Sequence, residues 1–261
     1  MCFVAVSLGI HPEFPLIIAA NRDEYFSRPT EPLARWPGWP TVIAGRDLTG
    51  GGTWLGLSQA GRFAALTNCR TDAVSAKPGS LSRGTIVKDF LLGAGDVLSD
   101  VESGVLAGRS DYGGFNLIAG TASKVSILSN AAQFHASETS GVFVLSNCPP
   151  DVEWPKTQIG AKRFSELLQS QGKGENLESA LFGFLANPEP MESAADERDD
   201  NPGAQLLERV VFVRGSQYGT RASSVVLVNH NQHAVFFERT FDAQGQLVLE
   251  SVEYLDFGRS T

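Results

Sequence analysis

The chain has 261 residues, of which 42% are hydrophobic and 19% charged, and these are ordinary values for a folded globular protein. Its formal net charge is −8 at pH 7, and it lacks the clustered lysine and arginine that nucleic-acid binding requires. No apolar run approaches the roughly 18 residues that span a bilayer, and the first residues lack the basic segment of a signal peptide. We therefore expect a cytoplasmic protein with no nucleic-acid partner and no transmembrane segment.

The first third of the chain predicts two β-hairpins. Apolar strands are expected at residues 2–8 and 16–21, and a second pair at 53–57 and 63–68. The intervening stretch, residues 27–52, is rich in proline, tryptophan and glycine, which favours an ordered surface loop.

The middle and end of the chain alternate between helical and strand patterns. Residues 82–106 are predicted to be helical, because apolar residues recur there at spacings of three and four. The acidic, proline-bracketed stretch 187–203 is predicted to be an exposed loop. The remaining predicted elements are strands at 115–120, 125–129 and 142–146, helices at 159–169 and 177–185, and strands at 223–228, 234–240 and 247–255.

This order of elements predicts an α+β fold. Many of the strands are apolar at nearly every position, which is typical of sheets that are covered on both faces. Two packed sheets with helices on the outside satisfy that requirement. We expect a single domain over residues 1–261.

The three cysteines are Cys2, Cys69 and Cys148, and they form no Cys-x-x-Cys pair. A disulfide framework and a zinc site are both disfavoured by this spacing. None of the four histidines has the spacing of a metal site. The sequence therefore implies no metal and no cofactor.

Cys2 follows the initiator Met1 directly and stands at the head of an apolar strand. One interpretation is a small buried hydrophobic residue, since free cysteine is among the most buried residue types. The other is that removal of Met1 leaves Cys2 as the first residue, with a thiol nucleophile and an α-amine that serves as its base. An α-amine titrates at roughly pH 7.7–8.0, which suits that role.

Such a nucleophile needs positive charge to lower the pKa of its thiol, and donors to hold an oxyanion. Candidates stand at predicted strand ends: the tetrad 21–24 (Asn-Arg-Asp-Glu), Asn68, Asn147, and the segment 218–221 that precedes a strand. Each has a structural alternative, because asparagine is a common turn residue and charge clusters are commonly solvated turns.

Taken together, these segments resemble the NRDE family, also called the transport and Golgi organisation protein 2 family. The resemblance extends from Cys2 to Val228. It implies the cysteine branch of the N-terminal nucleophile hydrolases, with a four-layer αββα sandwich of two packed, mainly antiparallel sheets. The motifs that carry it are the opening Met-Cys, the tetrad, GGTWLGLS at 51–58, LTN at 66–68, LSN at 145–147 and YGTRASSVVLV at 218–228.

A more distant resemblance to conjugated bile acid hydrolases and penicillin V acylases implies individual roles. It assigns Asn68 and Asn147 to the oxyanion, and Arg221 to an active-site arginine. Arg22 is implied to stabilise the thiolate, and Asp23 to orient the amine.

The sequence departs from those hydrolases at the second strand, where they separate the arginine and the aspartate by two residues. Here Arg22 and Asp23 are adjacent. This leaves open whether Glu24 takes the place of Asp23 and whether Asn21 joins the site.

Three functions follow from these observations. The first is an amidohydrolase in which Cys2 attacks a small-molecule, non-peptide amide. The second is implied by the family resemblance, since members of that family are associated with haem handling: a non-catalytic protein that binds or transfers haem or an acyl compound. The third is an interaction scaffold. The substrate and the oligomeric state are not determined by the sequence.

Overall fold

The computed structural model describes residues 2–69, 81–93, 99, 102–103, 111–170, 176–191 and 208–258, and for Cys2 it describes the main chain. These residues form two antiparallel sheets. The first sheet has six strands in the order β10 (Gly141–Leu145), β1 (Cys2–Leu8), β2 (Leu16–Tyr25), β11 (Tyr218–Val228), β12 (His233–Phe241) and β13 (Leu247–Asp256).

The second sheet has seven strands, and its order follows the chain. They are β3 (Thr30–Trp36), β4 (Trp39–Asp47), β5 (Leu55–Ser58), β6 (Phe63–Asn68), β7 (Phe115–Gly120), β8 (Val125–Ser129) and β9 (Phe134–Glu138).

In the part of the chain that the structure describes, the outer faces are covered by the helices α1 (Gly84–Leu92), α2 (Pro155–Ser170) and α3 (Leu177–Leu185). Alternate residues of β1 and β2 divide between two cores. Val4 and Ile18 face the second sheet, whereas Phe3 and Ile17 pack with α2 and α3. A third core lies between α1 and the outer face of the second sheet. This is the predicted four-layer αββα sandwich, and it explains why the central strands are apolar at nearly every position.

The prediction of a loop over residues 27–52 is wrong, because β3 and β4 lie there. β3 is an edge strand, so Pro32 removes no hydrogen bond from a central ladder, and only Leu33 and Trp36 are buried within it. β9 is a second edge strand that the sequence pattern missed. The strands β3 and β4 and the half-exposed β9 lack the continuous apolar runs that identified the central strands.

The other predicted elements are present, with shifted ends. The predicted helix at 82–106 contains α1, while part of that range lies outside the described residues, as does 192–203 of the predicted loop. β2 continues four residues beyond Asn21, and β11 begins five residues before Ser223. The tetrad and Arg221 therefore lie inside paired strands and not in turns. In the part of the chain that the structure covers, no helix is both long and apolar enough to cross a membrane.

Candidate functional site

The register of the first sheet brings three sequence-distant segments to one end of β1. The Cα atoms of Cys2 and Arg22 are partners across β1 and β2, and Arg22 is in turn the partner of Ala222 on β11. On the other side of β1, Val4 is the partner of Leu145. Cys2 stands two residues before Val4 in the chain, and Asn147 stands two residues after Leu145.

Arg22 lies between the two sheets and is 5% exposed. Its guanidinium carbon is 4.2 Å from the ring centroid of Trp54, which is a cation–π distance. Its Nη1 donates to Thr30 Oγ1 at 3.2 Å, and its Nη2 is 3.9 Å from the Asp47 carboxylate. A buried arginine needs such partners, and they hold its positive charge on the strand next to Cys2.

Arg221 reaches the same place through a β-bulge. The pairing of β11 with β2 shifts register between Thr220 and Ala222, so Arg221 is the extra residue. Its Nη1 donates to Thr30 Oγ1 at 3.3 Å and to the main-chain oxygen of Arg28. Arg22 and Arg221 therefore share the Thr30 hydroxyl, and partial burial lowers the pKa of Arg221.

Asp23 points to the opposite side of β2, toward the helices, because successive strand residues alternate faces. It is buried and accepts a hydrogen bond from Thr220 Oγ1 at 2.6 Å. The same Thr220 oxygen accepts from the main-chain N–H of Val213 at 2.9 Å. Burial raises the pKa of Asp23 to about 6, although nearby positive charges act against that rise.

The two predicted oxyanion asparagines lie together. Asn147 is fully buried, and its Nδ2 donates to the main-chain oxygen of Asn68 at 2.6 Å. The strand β6 carries Asn68 in the second sheet, whereas Asn147 follows β10 of the first sheet. This bond therefore links the ends of strands from both sheets.

Asn116 holds the segment around Asn147 in place. It is fully buried on β7, and its Nδ2 donates to the main-chain oxygens of Ser146 and Cys148 at 2.9 and 2.7 Å. Thr67 Oγ1 donates to the same Ser146 oxygen at 2.5 Å. Asn116 was not predicted as a site residue, because it stands inside an apolar strand and belongs to no motif.

Asn21 and Glu24 make contacts that differ from those of Asp23. Asn21 Nδ2 donates to the main-chain oxygens of Leu185 and Val211, both at 2.9 Å, and its Oδ1 accepts from Ser223 at 2.6 Å. The Asn21 amide is thus engaged in joining α3 to the sheet. Glu24 is half-buried, lies 3.8 Å from the Arg28 guanidinium, and accepts from the next main-chain N–H.

Cys69 and Cys148 are both buried. Burial raises the pKa of the Cys69 thiol to about 12 and that of Cys148 to about 11. Neither thiol forms a thiolate near neutral pH, so neither is suited to nucleophilic attack. Among the described residues, no group of three or more His, Cys, Asp or Glu side chains is placed to hold a metal ion.

Other residues of the site were also absent from the sequence analysis. Trp54 and Thr220 stand within quoted motifs, GGTWLGLS and YGTRASSVVLV, so motif membership is the signal that could have found them. Thr30 and Asp47 stand in the stretch that was predicted to be a loop. Their position next to Arg22 follows from the pairing of β3 and β4, which the sequence pattern did not indicate.

The sandwich has the fold of the N-terminal nucleophile hydrolases. A solved structure similar to it is that of the Caenorhabditis elegans ortholog of N-acylethanolamine-hydrolyzing acid amidase. The TM-score is 0.51, and the superposition covers 87% of this chain and 92% of that one. The sequence identity is 12%, so this likeness is one of fold.

The chain belongs to the Transport and Golgi organisation 2 family, which matches residues 1–243. It is 31% identical over 261 residues to the Transport and Golgi organization 2 homolog of Mus musculus. It is 30% identical over 263 residues to the Homo sapiens homolog. Each of these alignments covers 92% of this chain and 93% of the relative.

Proposed function

We propose that this protein is an amidohydrolase that cleaves a non-peptide C–N amide, with Cys2 as the N-terminal nucleophile after removal of Met1. The N-terminal nucleophile hydrolase fold supports an amidase, and the similar worm protein is named for amide hydrolysis. Fold alone does not establish activity. The proposal therefore depends on the residues around the start of β1.

The observation that carries the proposal is the register of β1. Cys2 is the first residue of this strand and has Arg22 as its Cα partner on β2. On its other side β1 pairs with β10, which ends two residues before Asn147. A cation beside a thiol favours the thiolate, and asparagine amides are suitable oxyanion donors. Arg22 and Asn147 are both buried and hydrogen-bonded, which supports a fixed arrangement of these two side chains.

In the proposed reaction, the α-amine of Cys2 takes the thiol proton, and the sulfur forms a bond to the amide carbonyl carbon. The resulting oxyanion accepts hydrogen bonds from the Asn68 and Asn147 amides. When the C–N bond breaks, the leaving nitrogen takes the proton from the Cys2 ammonium. Water then attacks the thioester and gives a proton to the amine, and breakage of the S–C bond releases a carboxylic acid and the Cys2 thiolate. The ammonium returns its proton to the sulfur, which restores the thiol and the neutral amine.

The charged residues have distinct roles in this scheme. Arg22 stabilises the thiolate from the space between the sheets. Asp23, oriented by Thr220, lies on the helix side and orients the amine. Arg221 shares Thr30 with Arg22, so it adds positive charge on the Arg22 side.

The deciding experiment combines intact-mass spectrometry with an amidase assay. Full-length protein from cells with methionine aminopeptidase is expected to lose Met1. Acyl amides of 7-amino-4-methylcoumarin serve as the probes, and fluorescence reports cleavage. We expect hydrolysis in the processed form alone, with a rate that rises through the titration of the amine at roughly pH 7–8.

Two alanine variants make the test specific for the thiol. Cys2→Ala should abolish hydrolysis, whereas Cys69→Ala should retain it, because the Cys69 thiol is buried and has a raised pKa. A preparation that keeps Met1 and still hydrolyses the amides would exclude the amine as base. Processed protein that is inert toward every acyl amide would overturn the amidase proposal and favour the binding alternative.

A further inference from the structure

Lys156 is fully buried in the first turn of α2, a position unusual for a lysine. Its Nζ lies 5.6 Å from the ring centroid of Trp154. Burial of an ammonium is costly without a compensating charge. The N-terminal turn of a helix raises that cost, because the helix dipole is positive there.

Helix α2 places Lys156 over the start of β1. The buried residues of α2 recur every four positions, from Lys156 through Gly160 and Phe164 to Leu168, so they share one face. A Cβ added to Gly160 would lie 2.9 Å from the ring of Phe3, the residue after Cys2. The helix backbone thus lies directly against β1, and Lys156 is one turn away from this contact.

Asp23 points to the helix side of β2 and is buried, as Lys156 is. The two side chains interact electrostatically. The other charged or titratable groups around this pair are the amino group at the start of the chain, whose effect on Asp23 is larger than that of Lys156, and Arg22 on β2. Lys156 also interacts with the thiol of Cys148, the residue after Asn147, and Glu208 interacts with the same thiol.

We infer that Lys156 is a positioning residue of the proposed site: its buried ammonium balances the Asp23 carboxylate and so keeps the α-amine of processed Cys2 neutral. This inference rests on the proposed function. A carboxylate beside an amine stabilises the ammonium form and raises the pKa of the amine, whereas a nearby cation lowers it. An amine that serves as the base must be neutral to accept the thiol proton.

The ionisation of Asp23 makes this balance necessary at neutral pH. Burial raises the pKa of Asp23 to about 6, with Lys156 among the charges that oppose the rise. Above that pH the carboxylate is ionised and would hold the amine as an ammonium. The Lys156 cation offsets much of the rise that the Asp23 carboxylate causes in the pKa of the amine.

The test measures the rate of Cys2 alkylation by iodoacetamide against pH, in protein that intact mass shows to begin at Cys2. The midpoint of this curve reports the coupled titration of thiol and amine. In Lys156→Met we expect the midpoint to move up by about one pH unit. Lys156→Arg, which keeps the charge, should move it less.

Two further variants separate charge from folding. Lys162→Met makes the same change at an exposed position of α2 and should leave the midpoint unchanged. The double variant Asp23→Asn, Lys156→Met removes both charges and should return the midpoint toward the wild-type value. If Lys156→Met alone does not fold, the arginine and double variants still decide the question.

The outcomes distinguish this inference from the proposed function. An unchanged midpoint in Lys156→Met, with amide hydrolysis intact in the wild type, overturns the role of Lys156 alone. A raised midpoint in a protein that hydrolyses none of the acyl amides supports Lys156 and overturns the amidase. Retention of Met1 in active protein overturns both, since no free amine then exists.

Discussion

The Glu238 carboxylate accepts a hydrogen bond from the main-chain N–H of Leu33 at 2.7 Å, and this bond joins β12 of the first sheet to β3 of the second. Ser224 donates to the other carboxyl oxygen at 3.3 Å. The side chain is buried between the sheets, and burial raises the pKa of Glu238 to about 7. A group that holds the two sheets together therefore titrates near neutral pH.

We predict that Glu238 makes the protein less stable as the pH rises. The pKa of glutamate in the unfolded chain is near its ordinary value of 4.5, so the unfolded state loses the proton first. The free energy of unfolding should therefore fall between about pH 4.5 and pH 7, by an amount on the order of 3 kcal/mol. Urea denaturation at pH 5 and at pH 7.5 measures this difference.

Glu238→Gln keeps an acceptor for Leu33 and cannot ionise. It should therefore remove most of the contribution of Glu238 to the slope of the free energy of unfolding against pH. Asp23, whose pKa is also raised, accounts for a further part. Glu250→Gln makes the same change at an exposed position on β13 and should leave the slope as it is. An equal slope in wild type and Glu238→Gln would contradict the prediction.

Iodoacetamide near neutral pH should modify Cys2 and leave Cys69 and Cys148 intact, since burial raises the pKa of both other thiols. Arg22→Ala should slow the modification of Cys2 by roughly tenfold, because it removes the adjacent cation. Peptide mass spectrometry quantifies each site. Arg163→Ala, on the exposed face of α2, is the control and should not change the rate. Equal labelling of the three cysteines in folded protein would argue for the scaffold.

Two helical glycines should respond in opposite ways to alanine. A Cβ at Gly183 in α3 meets nothing within 4 Å, so Gly183→Ala should stabilise the protein by about 1 kcal/mol through helix propensity. A Cβ at Gly160 in α2 would lie 2.9 Å from the Phe3 ring, so Gly160→Ala should destabilise it by about 1–3 kcal/mol. Denaturant midpoints compare the two variants. Stabilisation by Gly160→Ala would show that α2 moves off β1 at little cost.

Asn116→Ala should destabilise the protein by about 3 kcal/mol, because it leaves the main-chain oxygens of Ser146 and Cys148 without this buried donor. It should also expose the Cys148 thiol to a disulfide reagent such as DTNB while the protein remains folded. The control is Asn231→Ala at an exposed turn, which should change neither property. A stable Asn116→Ala variant with an unreactive Cys148 would show that the Ser146–Cys148 segment does not depend on this side chain.

The interior of the sandwich was predictable because its sequence pattern is local. The central strands β1, β2, β6, β7 and β11 are continuous apolar runs, and burial on both faces is what such runs indicate. The strands β3 and β9 stand at sheet edges, and β4 is buried only in its middle, so none of the three has a continuous apolar run. For that reason they were missed, although β3 and β4 bring Thr30 and Asp47 to Arg22.

The sequence by itself determined the family motifs, the two covered sheets and the candidate site residues, because residue type and apolar periodicity are properties of the chain. Tertiary structure decided where those residues lie. Because strand residues alternate in direction, Arg22 points between the sheets and its neighbour Asp23 points toward the helices. A bulge in β11 places Arg221 on the same side as Arg22. Lys156 lies 133 positions after Asp23 in the chain, and only the packing of α2 on β1 brings the two charges together. Contacts of this kind depend on register and helix packing, which no local pattern specifies.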